Sequence, residues 1–165
     1  MIFSSKVVRN ITLVLAFIVS TGCSFQLRNN YHIPDILKTL TFNSSDPYGY
    51  FSRTLERNLR RHHIDLMEES NDTTPDLRIL KNFIDKSNLT VYSDGQIAEY
   101  RLTYTVQFSL RKPKQDPKVY SIQVQRYYVN NDETALAKDR EMKLIIKEME
   151  VQAADRVLRQ LSITH

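Results

Sequence analysis

The amino-acid sequence predicts an α+β protein, a two-layer sandwich in which two helices pack on one face of a sheet of about four strands. Three observations support this fold class. Apolar residues recur at helical spacing in a short segment after residue 47, apolar and polar residues alternate through the middle of the chain, and residues 133–161 form a long amphipathic stretch without Gly or Pro. The order strand, helix, three or more strands, helix then places both helices on the apolar side of the sheet.

The amino terminus has the features of a secretory signal. Residues 1–22 contain no acidic residue, carry Lys6 and Arg9, and include an apolar run of about nine residues, which is too short to span a bilayer. The single cysteine, Cys23, follows a segment that resembles a bacterial lipobox, and Ser24 after it resembles the outer-membrane sorting pattern. We therefore expect a lipoprotein signal peptide at residues 1–22, acyl chains on Cys23 and one folded domain at residues 23–165. The alternative is an ordinary signal peptide followed by a chance cysteine.

The first half of the expected domain begins with a strand and a helix. Residues 39–43 suit a short strand, and Asp46 and Pro47 are suited to the N-cap and the first position of the following helix. The helix has an apolar stripe that we expect to face the core, formed by Tyr48, Phe51, Leu55 and Leu59. Its opposite side carries several arginines, for which we favour a solvated surface over an anion site.

The second half contains the strands and the long helix. Residues 77–83 and 89–93 read as strand segments interrupted near 85–88, and Asp94-Gly95 favours a tight hairpin turn. Strict alternation from Tyr100 to Leu110 predicts a strand with one buried side, and a second alternating strand runs from Tyr120 to Tyr128 after a loop at 112–118. Residues 133–161 form the long helix, with an apolar stripe made of Met142, Ile146, Met149, Ala153, Val157 and Leu161.

The sequence lacks the residue patterns of the common catalytic and metal-binding sites. One cysteine excludes a multi-cysteine metal site, the four histidines show no metal-ligand spacing, and no nucleophile motif or phosphate-binding glycine loop is present. Of 23 Lys and Arg residues, Lys6 and Arg9 leave with the signal, so 21 basic side chains face 19 acidic ones, a balance that argues against a nucleic-acid partner. We therefore predict no enzyme activity, no metal and no cofactor besides the acyl chains.

Four segments together resemble the LptE family of lipopolysaccharide-assembly lipoproteins, and the resemblance spans essentially the whole chain. The segments occur in the family's order and are residues 23–28 (CSFQLR), 46–53 (DPYGYFSR), 95–100 (GQIAEY) and 135–149, which begins ALAKDRE. The resemblance implies a fold of two helices on a four-stranded sheet. It also implies an outer-membrane protein that plugs the LptD β-barrel, faces the periplasm and the barrel lumen, and assists lipopolysaccharide assembly.

The resemblance further implies where lipopolysaccharide binds. Family members use basic residues near the hairpin and at the start of the last helix, and the latter position carries over onto Lys138, with Arg140 nearby. A surface lysine without a ligand is the alternative for Lys138. At the hairpin this sequence has Ser93-Asp94 where the family often has a basic residue.

Tyrosines near strand ends are candidates for contact with the barrel wall, since tyrosine combines a large apolar area with a polar tip. We select Tyr92, Tyr127 and Tyr128 as a candidate partner interface, and Tyr100 shares their position near a strand end. The alternative function is a free-standing, lipid-anchored module that binds anionic glycolipid without an obligate barrel.

Overall fold

Five strands and two helices make up the regular structure of the computed structural model, which describes residues 31–69, 71–130 and 135–164. The predicted signal peptide and Cys23 lie outside these residues. A short 3₁₀ turn at Asp35–Leu37 precedes the first strand. The elements in chain order are β1 (Thr39–Ser44), α1 (Tyr50–Arg61), β2 (Asp65–Met67), β3 (Asp76–Val91), β4 (Ile97–Arg111), β5 (Lys118–Val129) and α2 (Ala135–Ser162).

The strands form one mixed sheet in the order β2-β1-β3-β4-β5. β1 runs parallel to β2 and β3, whereas β3, β4 and β5 form an antiparallel meander. β1 pairs with β3 only along residues 76–79, so within the described chain the second half of β3 has β4 as its one strand neighbour. The β3–β4 ribbon therefore extends beyond the part of the sheet that β1 flanks.

Both helices cover one face of this sheet and enclose the core with it. The Phe51 ring of α1 meets the Tyr104 ring of β4 with centroids 6.0 Å apart, and the α1 side chain of Asn58 donates to Asp155 of α2 at 3.0 Å. The predicted α+β class and the placement of the helices are confirmed. The core contains fully buried side chains from both layers, among them Leu55, Leu59, Leu77, Phe108, Met149, Val157 and Leu158.

The fifth strand is the difference from the predicted sheet of about four. β2 has only three residues, Asp65–Met67, and three residues separate it from α1, of which His63 has a φ of 59°. Three residues are too few to show an alternating pattern, so the sequence offered no signal for this strand.

The start of α1 corrects the prediction from the sequence. The helix begins at Tyr50 and not at Pro47, and Gly49 is its N-cap residue. The Asp46 carboxylate instead accepts a hydrogen bond from the Gly49 N–H at 3.0 Å, which closes the turn before the helix. As a result Tyr48 is 86% exposed and does not belong to the apolar stripe, whereas Phe51 is buried as predicted.

Strand β3 also differs from its predicted form. It is continuous through residues 85–88, where the sequence predicts an interruption, because strand pairing uses backbone groups and these polar side chains are mostly exposed. The irregularity takes the form of register shifts near Leu80 and Leu89. The predicted tight turn is present: the Tyr92 N–H donates to the Gln96 carbonyl at 2.7 Å, and Gly95 has a φ of 87°.

The remaining elements match their predictions closely. In β4, Leu102, Tyr104, Val106, Phe108 and Leu110 are all buried on the helix side. In α2 the predicted stripe includes four buried residues, whereas Met142 and Ile146 are only partly buried. The buried members are Met149, Ala153, Val157 and Leu161.

Candidate functional site

The predicted site residues in the described chain lie at the end of the sheet that carries the β3–β4 turn. The antiparallel register brings Val91 opposite Ile97 and Glu99 opposite Val129, so this turn, the start of β4 and the end of β5 share one end. The Asn130 N–H donates to the Ala98 carbonyl at 2.8 Å and continues the pairing past the end of β5. We call this region the hairpin end.

Lys138 is fixed to the hairpin end through a short chain of hydrogen bonds. Its ammonium donates to Oδ1 of Asn130 at 3.1 Å, and the Asn130 amide donates in turn to the Ile97 carbonyl at 2.8 Å. Lys138 is half-buried, one turn into α2, and an ammonium has three donors of which this contact uses one. Arg140 lies two residues further along α2 and is exposed. The structure therefore positions one cation and leaves the second at the surface.

The three selected tyrosines do not share a surface. Tyr92 and Tyr127 are 53% and 62% exposed, but Tyr128 is 4% exposed and stacks on Tyr100 with centroids 6.4 Å apart. Alternation along β5 accounts for the difference, since successive residues point to opposite faces. Tyr128 is therefore a core residue and cannot belong to the predicted interface. Tyr92 and Tyr127 are the two candidates that stay exposed.

Two basic residues of the hairpin end carry no distinguishing signal in the sequence. The Lys86 ammonium lies 3.6 Å from the centroid of the Tyr100 ring, a cation–π contact on the helix side of the ribbon. Arg101 lies on the opposite face, where β3–β4–β5 pairing places it between Ser87 and Tyr127. In the sequence, Arg101 is one of the polar residues that alternate along β4, so only the strand register shows what surrounds it.

A polar connection ties α2 to the sheet next to this region. The Tyr104 hydroxyl accepts a hydrogen bond from the Asn82 amide at 2.8 Å and donates to Glu150 at 3.3 Å. Burial raises the pKa of Tyr104 well above its usual value, and burial also raises the pKa of Glu150, against the opposing effect of the Tyr104 hydrogen bond. Asp155, one turn further along α2, likewise has a pKa raised by burial. Tyr104 is 3% exposed, so this connection positions α2 and is closed to a substrate.

A separate cleft of about 670 Å³ opens at the other end of the sheet, beside the β4–β5 loop, and Arg111 and Lys114 contribute to its lining. None of the predicted site residues is found there. Within the ranges that the structure describes, no three potential metal ligands are grouped together, and no helix is both long and apolar enough to cross a membrane.

Sequence relationships cover most of the chain. The family described as "LptE: Lipopolysaccharide-assembly" matches residues 37–161, which include every strand that the structure describes, all of α1 and all but the last residue of α2. The LPS-assembly lipoprotein LptE of Photorhabdus laumondii is 37% identical over 155 residues, covering 93% of this chain and 84% of that protein. The protein of the same name from Pectobacterium atrosepticum is 34% identical over 152 residues, covering 92% of this chain and 83% of its own.

Solved structures show the same fold. The crystal structure of rare lipoprotein B from Shewanella oneidensis superposes with a TM-score of 0.71 at 35% identity, covering 75% of this chain and 93% of that one. A minor lipoprotein from Acinetobacter baumannii gives a TM-score of 0.64 at 18% identity, with 78% and 93% coverage, and so bears on the fold alone.

Proposed function

Because the chain belongs to the LptE family, we propose that it is an outer-membrane lipoprotein that forms a plug complex with an LptD-type β-barrel and assists lipopolysaccharide assembly at the outer-membrane surface. The observation that carries this proposal is the family match over residues 37–161, which leaves no strand of the sheet outside it. The role is one of assembly and binding, without catalysis.

The membrane attachment in this proposal depends on Cys23. Each buried methylene contributes about 0.8 kcal/mol, so several acyl chains would hold the protein stably at a membrane surface. The protein purified from membranes should have the mass of a triacylated chain that begins at Cys23, and Cys23→Ala should abolish acylation. A Cys23→Ala protein that still carries the acylated mass would contradict the anchor.

Lipopolysaccharide contact is assigned to Lys138 and Arg140. Lipid A phosphates are anionic, and charge-assisted hydrogen bonds are roughly twice as strong as neutral ones. The contact from Lys138 to Asn130 supports this assignment, because it holds the ammonium at the hairpin end with donors to spare.

The test of this contact compares two charge reversals on one helix. Lys138→Glu should weaken lipopolysaccharide binding about tenfold or more, with a small effect on the free energy of unfolding. Lys143→Glu is the matched control, because Lys143 is exposed and pairs with Asp139 at 2.7 Å. Equal affinities for Lys138→Glu and the wild type would remove Lys138 from the binding surface.

Contact with the barrel is assigned to the exposed tyrosines Tyr92 and Tyr127. A photo-crosslinking amino acid at either position in the lipidated protein should capture an outer-membrane β-barrel in intact cells. If both positions capture only lipopolysaccharide, the free-standing glycolipid-binding module becomes the better description.

A further inference from the structure

The end of the sheet away from the hairpin end is formed by chain segments that strand pairing brings together. Asp76 at the start of β3 pairs with Thr41 of β1 and with Arg111 at the end of β4. Lys118, the first residue of β5, pairs with the residue before Arg111. The β4–β5 loop, residues 112–117, therefore lies at the same end as the starts of β1, β3 and β5. We call this region the loop end.

The described chain also enters the fold at the loop end. Tyr31, the first described residue, has its ring centroid 5.7 Å from that of His62, directly after α1, and its hydroxyl accepts a hydrogen bond from Arg159 of α2 at 3.4 Å. From His62 the chain continues into β2, whose Asp65 pairs with Thr39, the first residue of β1. Tyr31 therefore lies at the loop end and not at the hairpin end.

The distance along the chain from Tyr31 to the expected acylation site is short. Tyr31 is eight positions after Cys23, and an extended residue spans at most about 3.6 Å, so these positions reach at most about 29 Å. The hairpin end lies one length of β4 further along the sheet, about 50 Å for its 15 residues. An anchor on Cys23 therefore restrains the loop end to the neighbourhood of the membrane surface.

The β4–β5 loop is strongly basic. Residues 111–118 (RKPKQDPK) contain four basic residues and one acidic residue. Lys114 and Lys118 are exposed, and Lys112 is partly buried. Among the residues that the structure describes, none of these three lysines forms an ion pair with a carboxylate.

Two carboxylates border the cleft beside this loop without neutralising it. Asp72 and Asp116 line the cleft together with Lys114 and Lys118. Both carboxylates are exposed, and neither takes part in an ion pair within the described ranges. Four basic residues against two carboxylates leave an excess of positive charge, which attracts an anionic surface.

Lys114 has a backbone conformation that favours glycine. Its φ is 59°, and the Gln115 N–H donates to the Lys112 carbonyl at 3.1 Å. A proline followed by a residue of positive φ is the pattern of a type II turn, in which glycine is the usual third residue. A lysine here makes the turn less stable than glycine would. Such strain is retained most readily where the side chain has a function.

We propose that the basic β4–β5 loop docks on the anionic phospholipid headgroups of the leaflet that holds the acyl chains of Cys23, which rests on the anchor in the proposed function. Lys112, Lys114 and Lys118 supply the contact. Each cation near an anionic lipid surface strengthens binding about fivefold. Acyl chains alone leave the domain free to rotate about its tether, whereas the docked loop orients it with the hairpin end away from these headgroups.

The test places a fluorophore on the loop of the full lipidated protein. Acylation consumes the Cys23 thiol, so Gln115→Cys supplies a single reactive thiol on the loop and Ser93→Cys supplies one at the hairpin end. The labelled proteins are reconstituted in phosphatidylcholine vesicles, with and without phosphatidylglycerol, that contain a headgroup-attached quencher. Phosphatidylglycerol should increase quenching at position 115 and not at position 93. At about 1 M salt, where the Debye length is about 3 Å, the increase should disappear.

Removing charges separates docking from anchoring. The test variant removes the three loop cations, by Lys112→Gln, Lys114→Gly and Lys118→Gln. The matched control removes three exposed cations elsewhere, by Arg53→Gln, Lys81→Gln and Lys143→Gln. In anionic vesicles the ratio of docked to undocked protein should fall about fivefold for each loop lysine removed and should stay at the wild-type value in the control.

Lys114→Gly alone separates a role in binding from a role in folding. Glycine adopts a φ of 59° without strain, so the urea midpoint should stay unchanged or rise while docking weakens about fivefold. A lower midpoint with unchanged docking would assign Lys114 to the fold and overturn its place in the contact.

The remaining outcomes separate the docking contact from the proposed function. Acylated protein whose loop label is quenched equally in neutral and anionic vesicles would overturn the contact and leave the proposed function standing. Equal docking of the test variant and the control would overturn it as well. A mass without acyl chains would refute the anchor and, with it, the docking contact. If a photo-crosslinking amino acid at Gln115 captured a protein and no phospholipid in intact cells, an acidic protein partner would replace the lipid surface and overturn the proposal.

Discussion

Removing the Tyr104 hydroxyl tests how α2 is held on the sheet. In Tyr104→Phe the ring stays in place against Phe51, and only the hydrogen bonds to Asn82 and Glu150 are lost. Tyr104 itself is 3% exposed, so no water replaces its hydroxyl at the same position. The substitution therefore isolates the polar connection from the packing around it.

The size of the effect follows from the burial of the two partners. A buried group left without its hydrogen bond costs about 1–3 kcal/mol. Asn82 and Glu150 are both half-buried, so water reaches them in part and the lower end of that range applies, about 1–2 kcal/mol. For a domain of this size, such a loss lowers Tm by about 2–8 °C.

Urea unfolding followed by circular dichroism is the assay, with Tyr127→Phe as the control because Tyr127 is 62% exposed on the other face. Tyr104→Phe should lower the midpoint at an unchanged slope, and the double variant with Glu150→Gln should be less destabilised than the sum of the two single changes. A midpoint for Tyr104→Phe equal to that of Tyr127→Phe would refute the reasoning.

Two further predictions concern the core and the pH dependence. Phe108→Ala should lower the free energy of unfolding by about 3–5 kcal/mol, since Phe108 is 0% exposed and stacks on Tyr120 at 5.3 Å; a loss under 1 kcal/mol by urea titration would show that the core is not packed as described. The pKa of Glu150 is raised on folding from its ordinary 4.5, so the folded state favours the protonated form, and stability is lost as the pH rises through the folded pKa. The Glu150→Gln variant should not show this loss of stability with rising pH. Stability curves that run parallel for the variant and the wild type from pH 4 upward would contradict the prediction.

The fold was largely predictable because its long elements carry strong patterns. Alternation along β4 identifies its buried side, and the four-residue spacing along α2 identifies its apolar stripe. Short or locally determined features were not predictable in the same way. β2 is too short for periodicity, and the start of α1 depends on the Asp46 carboxylate bonding to Gly49, a choice between two turn geometries that the sequence leaves open.

The candidate site was predictable only in part, because strand faces depend on exact register. Tyr127 and Tyr128 look equivalent in the sequence, and one is exposed whereas the other is buried. Arg101 looks like any polar residue of an alternating strand until pairing places it between Ser87 and Tyr127.

The most direct test of the central claim is the composition of the complex that the lipidated protein forms. The full-length protein, carrying a carboxy-terminal tag, is extracted from membranes in mild detergent, and co-eluting proteins are identified and quantified by mass spectrometry. The proposed function predicts one large outer-membrane β-barrel at a one-to-one ratio. Recovery of the protein alone, under conditions that keep other outer-membrane complexes intact, would contradict it.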